Sequence, residues 1–264
     1  MKKLQAIAAC FVAFTLIGIA NLKSEEPVKI RGKAIARTVI GTANYTIGEV
    51  TKRLKPNKEV DPGTTITTGP KSQVNLVVNN LSSLVVLQPD TTMAITQMNR
   101  IGPARGGDTE TILELKIGSI WGGVKKLPPN SSYEINTPNG QAEIRGTDFG
   151  IKVVQKPNGK LSTTFISIRG QINVSSLASG VGQTNTLNEG ETWTPGEGGP
   201  QAMSEELIQE IDSIFVIYDF AQPTYVLAAP SITIQPVFPT GSPPRTYSPF
   251  SPLVHPFPVA PMHR

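Results

Sequence analysis

The sequence predicts an all-β body, a twisted antiparallel sandwich or a solenoid-like β-roll with strand-glycine-strand corners. One C-terminal amphipathic helix and a disordered proline-rich tail follow it. Three observations carry the prediction: polar and apolar residues alternate in several short runs, an Ile-Arg-Gly triplet recurs between such runs, and both patterns stop near Gly199. A period of two residues marks a strand with one buried face, whereas a helix needs a period of 3.6. The expected division is a signal peptide over 1–20, a β domain over 21–199, an accessory helix over 200–219 and a tail over 220–264.

At the N-terminus, Lys2 and Lys3 precede an apolar run from Ala6 to Ala20, and Gly18 and Ala20 form a small-x-small cleavage signal. Such a segment reads as a secretory signal peptide and predicts export, to a periplasmic or extracellular envelope. The alternative is a retained anchor, the one case in which membrane association is expected; the run is shorter than the ~20 apolar residues that span a bilayer comfortably. Cleavage after Ala20 removes Cys10, the only cysteine. The exported chain then has no disulfide to form and depends on a packed core.

Charge argues against nucleic acid as a partner. Of 24 Lys and Arg, 22 remain once Lys2 and Lys3 are set aside, against 20 Asp and Glu, and from Asn21 to Asp219 the two signs balance at 20 each. Short basic groups such as Lys52-Arg53-Lys55 and Lys125-Lys126 read as solvated turns rather than a clustered basic face.

Within the body, Ser72 to Val78, Thr111 to Ile117 and Phe165 to Arg169 alternate cleanly and predict half-buried strands. Lys55 to Gly63 and Gly102 to Asp108 are expected as exposed loops, and Lys156-Pro157-Asn158-Gly159-Lys160 as a hairpin turn. Ile30-Arg31-Gly32, Ile144-Arg145-Gly146 and Ile168-Arg169-Gly170 each end one alternating run and begin another, with Ile117-Gly118-Ser119-Ile120 a looser copy. Glycine takes positive φ without steric cost, so it marks bends between strands. The isoleucine is expected to face the core and the arginine to lie outside. In the second copy Phe149 is the expected core anchor and Asp148 the expected partner of Arg145.

An ordered series of motifs resembles the FecR domain of bacterial envelope proteins. It runs through Gly63-Thr64-Thr65-Ile66-Thr67-Thr68-Gly69 with Ser72 to Val78, Leu84 to Thr91, and Leu113 to Gly118. It ends with Asn136-Thr137-Pro138 and Ile144-Arg145-Gly146-Thr147-Asp148-Phe149. The likeness covers roughly Val28 to Val174, and Leu187 to Trp193 resembles the trailing strand that closes such domains. Asn79 and Asn80 stand where the family has a different pattern with an Asp-Gly turn. The resemblance implies a non-catalytic module without a cofactor, acting by binding a protein partner in signalling or envelope assembly. Known relatives relay a signal to a cytoplasmic sigma factor. Here the apolar segment begins almost at Met1, leaving no room for a cytoplasmic anti-sigma domain, so direct sigma-factor contact is not expected. Residues Asn136, Thr137, Pro138, Arg145, Gly146, Thr147, Asp148 and Phe149 carry the family motif and are read as structural.

Two rival readings remain. In the first, the protein binds carbohydrate or peptidoglycan as a structural component of the envelope, with Trp121 and Trp193 as candidates for stacking on sugar rings; a place in the core is the favoured reading of both. In the second, paired carboxylates act on a glycan, with Glu134, Glu143, Asp148 and Glu189 as candidates. Other catalysis lacks material: His255 and His263 both fall in the tail, so neither a Ser-His-Asp triad nor a His- or Cys-ligated zinc site is expected in the body.

Beyond Gly199, Ser204 suits an N-cap, Glu205 and Glu206 suit the first turn, and Met203, Leu207, Ile208, Ile211, Ile214 and Phe215 share a helical face. This predicts a helix packed on the β domain. In residues 220–264, 11 of 45 are proline and none is acidic, which predicts an extended, disordered segment.

Overall fold

The computed structural model describes residues 29–78, 83–102, 107–176 and 182–215, with the side chain of Phe215 excepted. The expected signal segment, Asn79 and Asn80, and the proline-rich segment lie outside these residues. The described chain is an all-β structure of two open sheets with one helix near its C-terminal end.

Sheet A runs in the order β4 (Val50–Arg53), β3 (Ala43–Ile47), β6 (Thr64–Thr68), β9 (Thr92–Ile101) and then the first part of β10 (Asp108–Val124). It continues through β11 (Ser132–Thr137), β12 (Gly140–Ile144), β15 (Ile172–Ser176) and β16 (Gln183–Leu187). Strand β1 (Lys29–Arg31) pairs with the far end of β9. Sheet B runs β5 (Lys58–Val60), β2 (Ala34–Ile40), β7 (Gln73–Val78), β8 (Ser83–Leu87), the second part of β10, β13 (Asp148–Gln155), β14 (Leu161–Arg169), β17 (Glu191–Trp193) and β18 (Gln201–Ala202). All ladders are antiparallel except that between β10 and β11. Lys55 to Gly63, expected as loop, contains the short strand β5, which Ala34 to Ala36 recruit by pairing.

Alternation explains the core. Ile66, Ile95, Leu113, Leu115, Tyr133 and Ile135 from sheet A meet Leu76, Val85, Leu87, Ile120, Phe149 and Phe165 from sheet B in one buried cluster. The chain changes sheets at the predicted corners. Gly118, at φ +97°, carries β10 from sheet A into sheet B, and a side chain there would approach Thr91 Cα to 2.5 Å. Gly146, at φ +66°, does the same between β12 and β13. The triplets are alike in turning the chain but not in facing: Ile144 is buried, whereas Ile30 is 44% exposed because β1 lies at the sheet margin. The expected hairpin at Lys156 to Lys160 forms, with Lys156 N donating to Lys160 O at 2.8 Å and Gly159 at φ +79°.

The helix α1 (Glu205–Phe215) forms a third layer over the outer face of sheet B. Leu207 N donates to Ser204 Oγ at 3.3 Å, the expected cap, and the Glu206 carboxyl is held below its usual range by its own backbone N–H and Ser204. Met203, Leu207, Ile211 and Ile214 pack on Val77, Leu84, Val86, Trp121 and Ile166. Ile208, expected on that face, turns outward and is 40% exposed.

Candidate functional site

With the centre of the outer face of sheet B covered by α1, the outer face of sheet A is the surface with no helix over it among the described residues. Its side chains follow from register. On β10, Thr111, Leu113 and Leu115 point inward, which sends Glu110, Ile112 and Glu114 outward. The same alternation turns Glu134 and Asn136 of β11, Gln141 and Glu143 of β12, Asn173 and Ser175 of β15 and Thr184 and Thr186 of β16 to that face. Glu134, Gln141, Glu143, Asn173, Ser175 and Thr184 line a shallow groove there.

Neighbours bind one another across the groove. Gln141 Nε2 donates to Glu134 at 2.6 Å, Arg145 Nε donates to Glu143 at 3.1 Å and Thr186 Oγ1 donates to Asn173 Oδ1 at 2.9 Å. Beside it, Glu110 accepts from Lys29, Gln97 and Asn99 at 2.9 to 3.1 Å. The Asn99 amide, with the Lys29 ammonium next, holds the Glu110 carboxyl below its usual range. Glu134 and Glu143 are direct cross-strand partners. Like charges so placed repel, and Gln141 and Arg145 offset this by donating to each.

The corner below the groove is built from the motif residues. Thr137 Oγ1 closes the turn over Pro138 and Asn139 by donating to Gly140 O at 2.7 Å, and Asn136 faces outward just before it. Thr147 is buried and donates to Gln171 O at 2.8 Å, tying this corner to the one at Gly170. Phe149 is buried with its ring against Gly122. Arg145 does not pair with Asp148: it lies over Glu143, while Asp148 meets Arg169, its cross-strand partner, at 3.3 Å. The backbone turns through Gly146 between Arg145 and Asp148, so the two side chains leave on different sheets.

Residues 64–172 match the family model described as FecR protein. The chain carries a FecR domain. The match begins at β6 and ends at the start of β15, so the groove straddles its C-terminal limit: Glu134, Gln141 and Glu143 lie within the FecR domain, and Asn173, Ser175 and Thr184 just beyond it. Two crystal structures of a protein provisionally assigned as an anti-sigma factor from Parabacteroides distasonis, at 2.50 and 1.65 Å resolution, are similar at 12% identity and a TM-score of 0.43. Each comparison covers 59% of this chain and 67% of the other. No curated protein matches the sequence.

Around the FecR domain, neither tryptophan offers a face to a sugar. Trp121 is fully buried beneath α1 and Trp193 is 2% exposed. Trp193 packs in the main core beside Phe165 and donates its indole N–H to Gly198 O at 2.8 Å. Both are therefore core residues, not stacking platforms, because the sheet alternation directs one into the sandwich and the other under the helix. Of the acids, Asp148 is nearly buried in its pair with Arg169, and Glu189 sits at the Gly170 corner, accepting from Gly170 N at 3.3 Å. These two lie apart from the groove, which brings together Glu134 and Glu143 alone. Among the described residues, no three His, Cys, Asp or Glu side chains converge on a metal position.

Proposed function

We propose that this FecR-domain protein works by binding, as a non-catalytic module that offers the outer face of sheet A to a protein partner in signalling or assembly at the bacterial envelope. The observation that carries the reading is the asymmetry of the two outer faces. One carries an apolar patch, Val77, Leu84, Val86, Trp121 and Ile166, that the chain's own helix covers; the other is polar and open across β10 to β16. A flat surface of amides, hydroxyls and locally paired charges resembles the polar rim and face of a reversible protein interface more than a reaction cleft. Glu134 and Glu143 each already accept from a neighbour, an arrangement suited to holding a surface in register. The signal-like N-terminus and the FecR match support export.

A glycan ligand is the second reading, and the groove's amide and hydroxyl lining favours it at that point alone. The deciding experiment is crosslinking and recovery of the tagged protein from its own envelope, with proteins and glycans both identified, for wild type and for Glu143→Lys combined with Asn173→Arg. A defined protein lost in the double variant supports the proposal. Recovery of polysaccharide alone replaces it with the glycan reading, and recovery unchanged by the variant removes the sheet A face from the function.

A further inference from the structure

We infer that β16 is a self-pairing edge, through which two copies of this chain join their A sheets about a twofold axis at Asn185. An unpaired strand edge exposes a row of backbone donors and acceptors, and proteins blunt such edges with charge, proline or brevity. Among the described residues, three of the four ends of the two sheets follow that rule. Strand β4 ends in Lys52 and Arg53, β5 has three residues with Lys58 and Glu59, and β18 has two residues. Strand β16 does not: its five residues, Gln183-Thr184-Asn185-Thr186-Leu187, hold no charge, proline or glycine. Among the described residues only β15 pairs with it.

Its sequence is also self-complementary. Thr184-Asn185-Thr186 reads the same in both directions, so antiparallel pairing centred on Asn185 sets Thr184 opposite Thr186 of the second copy, twice, by symmetry. Opposed threonines pair favourably on a sheet. The row already exists within one copy, where Ser175 Oγ meets Thr184 Oγ1 at 3.2 Å and Thr186 donates to Asn173, so the dimer extends a ladder of hydroxyls and amides across the axis.

An independent observation comes from Asn185 itself. Its Nδ2 is buried without a hydrogen-bond partner, on the opposite face of the strand from the two threonines. A buried amide left unpaired is costly. On the axis, Asn185 of the second copy lies directly opposite on the same face, with Cβ atoms about 5 Å apart, so a change of rotamer that brings the enclosed amide to the edge lets each donate to the other's carbonyl oxygen. A second copy is thus the occupant that satisfies both the hydroxyl row and the amide.

The test is sedimentation velocity over a concentration series on the full chain, purified as the cell leaves it. Wild type is expected to dimerise. Thr184→Lys with Thr186→Lys sets lysine against lysine and is expected to weaken the dimer at least ten-fold. Thr184→Lys with Thr186→Glu sets lysine against glutamate in both halves and is expected to retain it; matching thermal unfolding of the variants shows that each is folded. A wild type that stays monomeric, a dimer indifferent to the double lysine, or equal weakening by both variants overturns the inference. So does a β16 found crosslinked to another protein instead of to itself.

Discussion

The ring of Trp121 packs against the backbone of Gly150, its direct cross-strand partner between β10 and β13, and a Cβ on Gly150 would clash with the indole. One step along the same ladder the roles reverse, and Phe149 covers Gly122, where a Cβ would meet its ring at 2.6 Å. One aromatic faces the helix and the other the core. Each glycine is a space that its partner's ring fills.

Gly150→Ala and Gly122→Ala should therefore destabilise by overpacking, by about 1 to 3 kcal/mol each. Urea unfolding of each variant checks this. Combining Gly150→Ala with Trp121→Leu should recover part of the loss, because the two positions share one space.

At the corner, Phe149→Ala should cost about 3 to 5 kcal/mol through the cavity it leaves. Gly146→Val should also destabilise, because a β-branched residue at φ +66° is strained. Lowered thermal midpoints for both, with unaltered midpoints excluding the corner reading, are the measurement.

Arg145 and Asp148, three residues apart, should behave differently. Arg145→Ala removes an exposed pair with Glu143 and is expected to cost about 0 to 1 kcal/mol. Asp148→Ala strips a carboxylate that is 10% exposed from Arg169 and should cost clearly more. Equal losses in chemical unfolding would contradict the assigned pairing.

The Glu110 cluster gives a pH dependence. Its folded carboxyl titrates below the ordinary value of 4.5, so its contribution is present above that value and is lost as pH falls through the lower folded one. Acid unfolding of Glu110→Gln should show a shallower fall in stability below about pH 4.5 than wild type.

Much of the fold was legible because local rules made it so. Alternation located the strands, and Gly118, Gly146 and Gly170 marked corners that only positive φ allows. What escaped the sequence depends on partners remote along the chain. Asp148 chose Arg169 because β13 pairs with β14, not because of proximity in sequence. In β7, alternation turns Val77 away from the main core, yet it is buried because α1 lies over it. The same helix hides Trp121: its sequence context suited it to a core, but which element covers it depends on α1. The groove was equally silent: Glu134, Gln141, Asn173 and Thr184 come from four strands and share a face only through register.

Strand β10 has a mechanical consequence. Its first part is clamped between β9 and β11 in one sheet and its second between β8 and β13 in the other, all within one unbroken 17-residue strand. It acts as a tie-beam between the two layers, so shear of one sheet over the other must break ladders on both sides of it at once. Strain entering at the face of sheet A therefore meets two layers tied together through one strand rather than free to slide over each other.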